Sequence, residues 1–400
     1  MNAQKALFAA LALIVLAVTV IPYEAGAVPA FARRHKISCT TCHDPFPRLK
    51  EFGAEFAGNG FVIPEDEKDR DYVIAGDELL RLNRDFPVAG RFDAYGVWDD
   101  AGDVDTDLQT PWGVKLISGG ALAENVGYYY YFYLSERGEV AGIEDAIVHF
   151  NNVFGSELDV AVGQFQTSDP LMKRELRLTF DDYLAYKTKV GDSHVNLTYD
   201  RGLMLGYGIE ATGTDLIATI TNGNGKAEAD EMHRFDEDAR KNVGLRLSQG
   251  VGEHLSVGGY FYTGGEGWSE FDDTGVLVGT MANDITWYGP DLSLSLGPAV
   301  LTAQYLLRED SSPLLDGTQT DVKTEGIVAE LVLQPRGPDS RHIYTLLYNR
   351  IDSDLNALDY ESFTCGATYL MARNVRLLVE FTRDLSCETN RAVVGTVTAF

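Results

Sequence analysis

From about residue 88 to Phe400, apolar and polar side chains alternate one by one in short segments, and no other feature constrains the fold of this chain as strongly. Successive side chains of a strand point to opposite faces, so each segment has one apolar face and one polar or charged face. "RFDAYGVW" sets Phe92, Ala94, Gly96 and Trp98 against Arg91, Asp93 and Tyr95. Leu255, Val257, Gly259 and Phe261 stand against His254, Ser256 and Tyr260, and Val375, Leu377, Val379 and Phe381 against Arg376, Glu380 and Thr382. Candidate strands fall near residues 88–99, 113–122, 126–136, 143–151, 156–166, 203–211, 214–221, 242–249, 254–263, 298–308, 323–334, 340–351, 359–370, 375–384 and 391–400. Residues 170–200 and 280–297 are ambiguous, and the total is about sixteen, an even number being usual for bacterial barrels.

Strands of this kind build soluble sandwiches or membrane barrels. Tight turns such as "MARN" (371–374) alternate here with longer acidic loops, and 20 Tyr and 19 Phe can supply aromatic girdles, most densely in "YYYYFY" (128–133). The last segment, "RAVVGTVTAF", stops on an aromatic residue in the manner of outer-membrane proteins. The expectation is an all-β chain, an outer-membrane antiparallel β-barrel of about sixteen strands in contact with outer-membrane lipids. An even count puts both ends in the periplasm and the long loops outside.

Residues 1–27 read as an export signal. Lys5 precedes an apolar run from Ala6 to Ile21, 16 residues long, and Ala25-Gly26-Ala27 offers the small residues of a cleavage site. A spanning helix needs about 20 residues, so cleavage near Val28 is expected. The formal charge is -27, and Lys5 and Glu24 cancel, so the exported part keeps it. Such a surface excludes nucleic acid as a partner class. Acidic residues gather at 98–107, 228–238, 266–275 and 352–361; these are either solvated loops or loops that concentrate cations.

The second informative stretch is Cys39-Thr40-Thr41-Cys42-His43. C-x-x-C-H is the attachment signature of c-type haem: two thiols add across the vinyl groups of one porphyrin edge, and the next residue turns its imidazole under the ring. A structural zinc site wants a second ligand pair at similar spacing, whereas Cys365 and Cys387 are far away and 22 positions apart. A thioredoxin-like dithiol belongs in a βαβ setting, which this region lacks. The reading is one covalent haem c on Cys39 and Cys42, with His43 as an axial iron ligand. His35, four residues before Cys39, is the nearest candidate for the second axial ligand; Met172, Met204, Met232, Met281 and Met371, and His149, His194, His233, His254 and His342, are the distant ones.

Residues 46–61 read as a helix with Pro47 in its first turn, Leu49, Phe52 and Phe56 on one face and Gly58-Asn59-Gly60 at its end. The division is then 1–27 signal, 28–75 a small helical monohaem segment and 76–400 the barrel. A segment of that size needs a staple or a host, and the expectation is that it plugs the lumen from the periplasmic end. Cys365, mid-strand, and Cys387, beyond the far end of the next strand, are too far apart for the Cα separation of about 7 Å that a disulfide tolerates.

"PAFARRHKISCTTCHDPFPRLKEFGAEFAGNGF" (29–61) resembles the N-terminal motif of the outer-membrane fused monohaem cytochrome-porins known from iron-oxidising bacteria. The match rests on Pro29, Phe31, Ala32, Arg33, Cys39, Cys42, His43, Pro47, Leu49, Phe52, Gly53, Phe56 and Gly60, with Phe61 where that family often has Tyr. The order of parts also agrees over nearly the whole chain. Arg34-His35-Lys36 departs where iron oxidisers carry Gln-Thr-Gly, and Ala54, Ala57 and Gly58 stand where Arg, Lys and Leu are usual. The resemblance implies an electron conduit in which an extracellular donor such as Fe(II) gives one electron to the haem and a periplasmic c-type cytochrome receives it. An outward conduit that reduces external acceptors, and a solute porin with a structural haem plug, are the alternatives.

Overall fold

The computed structural model describes residues 30–63, 86–102, 105–123, 125–167, 173–225, 228–236, 238–271, 277–315 and 320–400. The signal over 1–27, the part of the monohaem segment beyond residue 63, Asp103 of the first acidic loop and Met172 lie outside these described residues. Three short helices come first, α1 (Ala30–His35), α2 (Cys39–Cys42) and α3 (Glu51–Gly58). Strands β1 (Val88–Asp99), β2 (Thr106–Ala123), β3 (Val126–Glu136), β4 (Gly142–Phe150) and β5 (Leu158–Phe165) follow, then α4 (Leu184–Lys187). The chain continues with β6 (Asp200–Ile209), β7 (Thr214–Thr221), β8 (Asn242–Val251), β9 (Leu255–Phe271), β10 (Leu277–Leu296) and β11 (Ala299–Asp310). It ends with β12 (Val322–Leu333), β13 (His342–Ser353), β14 (Tyr360–Ala372), β15 (Val375–Asp384) and β16 (Asn390–Ala399).

Every strand pairs antiparallel with its sequence neighbours, and β1 pairs with β16 from Arg91–Ala399 to Asp99–Arg391, so the sheet closes into a sixteen-stranded barrel. Closure removes the free edges that an open sheet leaves unpaired. The faces are inverted relative to a soluble protein. On β8, Val243, Leu245 and Leu247 are exposed while Asn242, Arg246 and Ser248 are buried, and the same outward set continues through Val257, Phe261, Phe363, Val379 and Phe381. An apolar outside around a polar inside is stable only in lipid, and closed barrels satisfy every backbone group there. The chain is therefore an outer-membrane barrel. No helix among the described residues is long and apolar enough to cross a membrane, and the strands make the crossing.

Strand direction places Val88 and Ala399 at one end with tight turns such as Leu296 to Ala299 and Ala372 to Val375. The long connections, with the described residues of all four acidic stretches, lie at the other end. Several boundaries differ from the expectation. β2 begins at Thr106 rather than 113, because the β1–β2 ladder shifts register between Asp93 and Tyr95, beside Pro111, and resumes beyond it. Residues 280–296 belong to β10, β9 runs on to Phe271 rather than 263, and 170–199 hold no strand in their described part. The "YYYYFY" run is split: Tyr131 and Tyr133 are buried on the inner wall, and Tyr129 faces inward with them. Only alternate members of the run can serve an outer girdle.

The β5–β6 connection folds into the lumen. Tyr183, Tyr186, Val195 and Leu197 pack with Tyr262, Ile285, Trp287, Leu306, Val328 and Leu347 of the wall in one buried cluster, and Phe180 packs against Tyr95 and Trp112 on the opposite side. Polar contacts hold the backbone between them. Glu380 accepts from the Phe180 and Asp181 amides at 2.7 and 3.0 Å, Arg391 reaches Asp181 at 2.7 Å, and Arg308 donates to the Val195 carbonyl and to Ser193 at 2.9 Å.

Within this segment burial pushes the Asp182 carboxyl up, but Arg177 and Arg174 outweigh it and hold it well below the usual range; Arg174 contacts it at 2.6 Å. Glu175 is likewise depressed, with burial opposed by Lys115, Arg177 and the Tyr131 hydroxyl. A depressed folded value adds stability above the ordinary carboxyl range of about 4 and loses it as the pH falls below that. Acidification through about pH 4 and below is therefore expected to loosen the segment. Asp182→Asn should do the same at neutral pH, costing about 3 kcal/mol locally by leaving buried cations unpaired. Pepsin cleavage within 173–199 across acid pH checks the first, and trypsin cleavage at neutral pH checks the second.

Candidate cofactor site

The C-x-x-C-H residues form a single helical turn followed by a hairpin. Ser38 caps α2 by accepting from the Thr40 amide at 3.3 Å, and the His43 amide donates to the Cys39 carbonyl at 2.9 Å. The chain then doubles back: the Asp44 amide donates to Arg48 and the Lys50 amide to Cys42, both at 3.0 Å, with a bridge between His43 and Leu49. The expected helix over 46–61 is thus shorter, α3 alone. Pro45 and Pro47 lack amide donors and sit in the hairpin, and Phe52 is 38 % exposed while Phe56 is buried.

α3 lies directly on α2. A Cβ on Gly53 would stand 2.2 Å from the Cys42 carbonyl oxygen, so only glycine permits this approach. Gly53→Ala is expected to push α3 off the turn at a cost of about 1–3 kcal/mol. Faster amide hydrogen exchange over residues 39–58 than in the wild-type chain is the measurement.

Tertiary contacts set the orientation of His43. Its Nδ1 lies 2.9 Å from the Pro47 carbonyl and 3.3 Å from that of Arg48. Carbonyls only accept, so Nδ1 carries the proton and Nε2 keeps its lone pair. Burial pulls the imidazole below its usual range, favouring the neutral ring that can ligate a metal. Burial pushes both thiols up, and Cys39 and Cys42 are not joined to each other.

These three side chains open onto one cavity of about 200 Å³ between the N-terminal segment and the barrel. Phe31, Ile37, Phe46, Leu49, Phe56 and Phe61 supply its apolar wall, and Ile117, Tyr129 and Tyr131 close it from the barrel side. A second cavity of about 400 Å³ shares Leu49, Phe61, Tyr129 and Lys173 with it and contains His149 and Met204. His35 packs edge-on against Phe56, centroids 5.6 Å apart, and does not line the first cavity. His194 is mostly exposed in the inward segment, and Met232 is exposed in a loop. The donor set suits a covalent haem: two thiols, one imidazole with Nε2 available, and a largely aromatic wall.

The segment is seated in the lumen by side chains the motif does not contain. Arg48 donates to Glu330 at 2.5 Å, Gln334 to Asp44 at 2.5 Å, and Asn151 to the Asn59 carbonyl at 2.5 Å. Phe61 stacks on Tyr129 with centroids 4.5 Å apart. A Cβ on Gly127 would meet the Gly60 carbonyl oxygen at 2.1 Å, so segment and wall touch through backbone. Cys365 and Cys387 are unpaired and exposed, as their separation required. Among the described residues no group of three or more His, Cys, Asp or Glu side chains is placed to hold a metal ion.

No family model matches the sequence, and no curated protein matches it. Solved structures do match. An anion-selective porin from Comamonas acidovorans aligns with a TM-score of 0.55 at 12% identity, over 79% of this chain and 99% of that one. OmpF of Salmonella typhi, in a complex with daunomycin, gives 0.54 at 14% identity over 79% and 97%, and the outer-membrane channel DcaP of Acinetobacter baumannii 0.53 at 14% over 79% and 97%. At these identities the likeness is one of fold, and the fold is that of the outer-membrane porins.

Proposed function

We propose that the protein is an outer-membrane electron carrier of the fused cytochrome-porin type. In this reading residues 28–75 form the monohaem segment, Cys39 and Cys42 would hold one haem c, His43 would bind its iron, and residues 76–400 are the host barrel. The observation that carries the reading is convergence: both thiols and an imidazole of set tautomer meet at one apolar cavity inside the lumen.

A haem bound there supplies a one-electron couple. The protein residues do the rest. Cys39 and Cys42 supply the thioether sulfurs, the carbonyls of Pro47 and Arg48 aim His43, and Phe31, Phe56 and Phe61 exclude water. The barrel insulates about 25 Å of hydrocarbon, so a redox centre in its lumen shortens the path between the two aqueous sides. An extracellular donor such as Fe(II) then need not cross, and a periplasmic c-type cytochrome is the partner on the other side. The acidic loops lie at the end where such a cation would arrive and raise its local concentration. His35, the nearest further imidazole in sequence, packs on Phe56 and does not line the cavity, so no second iron ligand is assigned to it.

Redox titration of the purified protein with Fe(II), wild type beside His43→Ala, is the test. Reduction of the wild-type haem, with a shifted potential in His43→Ala, is expected. A haem that Fe(II) leaves oxidised at every pH rules out iron as donor. The porin fold raises solute passage as a second reading, and the buried cluster around Tyr183, Tyr186, Trp287 and Leu347 argues against it. Planar bilayers containing the wild-type protein should show no stepwise conductance.

A further inference from the structure

The end of the barrel that carries the tight turns and the N-terminal segment is divided by charge. On one half the connections are acidic. Glu157 between β4 and β5, Glu210 between β6 and β7 and Glu253 between β8 and β9 are all exposed, and those three connections contain no Lys or Arg. On the other half they are basic. Arg336 and Arg341 lie exposed between β12 and β13, and Arg373 lies partly exposed between β14 and β15. Their acidic neighbour is Asp339, 3.7 Å from Arg373.

The N-terminal segment extends the basic half around the mouth. Arg33 donates to the Val88 carbonyl at 2.7 Å, at the start of β1. Arg34 stands against the end of β2, where a Cβ on Gly120 would meet its Nη1 at 2.6 Å. β1 pairs with both β2 and β16, so the arc from β12 round to β2 is continuous. Lys36 and Lys50 are exposed on the segment, as are Glu51 and Glu55, while Arg48 and Asp44 are turned to Glu330 and Gln334 of the wall. Against Asp339, Glu51 and Glu55 this half therefore sets seven Lys and Arg side chains among the described residues, in a chain whose total is -27. Cys39 and His43 lie within the basic half, beside Pro338, Ser340 and Arg373.

Charges of one sign gathered on solvated turns sum to a field that draws in a partner of the opposite sign. Lipid headgroups are one class of anion near the rim. Lys36 and Lys50, however, belong to the segment seated in the lumen, away from the outer wall that lipid contacts, and this favours a protein. We propose that the arc from the β12–β13 turn to the start of β1 is the docking surface for a soluble periplasmic redox protein with an acidic face, which takes one electron from the haem beside Cys39. In that exchange the haem iron passes from ferrous to ferric and the partner's centre is reduced by one electron, with no bond made or broken. The electron transfer rests on the haem reading above; the division of charge does not. Complementary charge acts on the rate and register of association more than on affinity, so salt dependence is its signature.

The probe is plastocyanin, a soluble copper protein with an acidic patch, offered to the purified full-length protein in neutral detergent. Oxidation of the reduced haem, followed by stopped flow, is expected to slow at least tenfold, roughly, between about 0.01 M salt, where charge is felt over about 30 Å, and about 1 M, where it is felt over about 3 Å. Lys36→Glu, Arg336→Glu and Arg341→Glu together should lose the fast low-salt rate, and Glu210→Lys with Glu253→Lys should keep it. None of these side chains lines the haem cavity, so the midpoint potential should equal wild type in every variant. Heat-modifiable gel mobility reports whether each barrel is folded. Plastocyanin binding at low salt, measured by interferometry, should follow the same order and needs no haem. Rates and binding equal across variants and salt, with haem present, overturn the docking surface alone. Loss of bound phosphatidylglycerol from nanodiscs of the triple variant, with plastocyanin binding unchanged, makes the arc a lipid contact and overturns it too. A wild-type chain without covalent haem that still binds plastocyanin in this order supports the surface and overturns the haem reading.

Discussion

Serine at both Cys39 and Cys42 is expected to abolish covalently bound haem and leave the barrel folded. The barrel closes through the β1–β16 ladder and the fifteen hairpin pairings in sequence order, none of which involves residues 30–63. Export and insertion therefore should not depend on the thiols. The haem does, because Cys39 and Cys42 are the two thiols that line the cavity. Haem staining after denaturing electrophoresis and the pyridine haemochrome spectrum read the loss, and heat-modifiable mobility reads the fold. Each single serine variant keeps one thioether and should give reduced staining with a shifted haemochrome band. If the double variant still carries haem through denaturation, the attachment assignment is wrong.

Replacing residues 167–198 by a short Gly-Ser turn is expected to convert a closed barrel into a conducting one. Phe165 and Asp200 are register partners on adjacent strands, so a few residues can join them without disturbing the wall. The replaced stretch includes Phe180, Tyr183, Tyr186, Val195 and Leu197, which fill the lumen from both sides. Burial of each large apolar side chain contributes about 1.5–3 kcal/mol, so the variant should also unfold at lower temperature. Stepwise conductance in planar bilayers, against none for the full chain, is the measurement. The variant also loses Lys173 and Glu175 from the cofactor cavity, and its haem potential should differ from wild type. A variant as silent as the full chain would mean that another part of the molecule closes the lumen.

Most of the barrel was legible in its sequence because alternation is local. A strand such as Val375–Asp384 announces its two faces in ten residues, and β11 and the first half of β9 were equally plain. The stretches that escaped were those where glycine and proline interrupt the alternation. Pro111 and the shift between Asp93 and Tyr95 concealed the first half of β2, and β10 carries Gly289-Pro290 in its middle. The candidate site was half legible. Spacing named Cys39, Cys42 and His43, but it could not name Arg48, Asn151, Glu330 or Gln334, whose partners lie up to 290 positions away. Gly53 was visible as a match in a motif, without its reason.

By itself the sequence determined that residues 88–400 form two-faced strands and that one short segment carries two thiols and an imidazole at haem-attachment spacing. Both are properties of neighbouring residues, set by the period of a strand and the reach of one helical turn. Only the tertiary structure decided that the polar faces line the lumen and that the β5–β6 connection fills it. It also decided that Tyr129, Tyr131 and Tyr133 face the N-terminal segment or the inward connection rather than lipid. Alternation states that two faces differ, but which one meets lipid, and what the other one meets, depends on contacts between residues far apart in the chain.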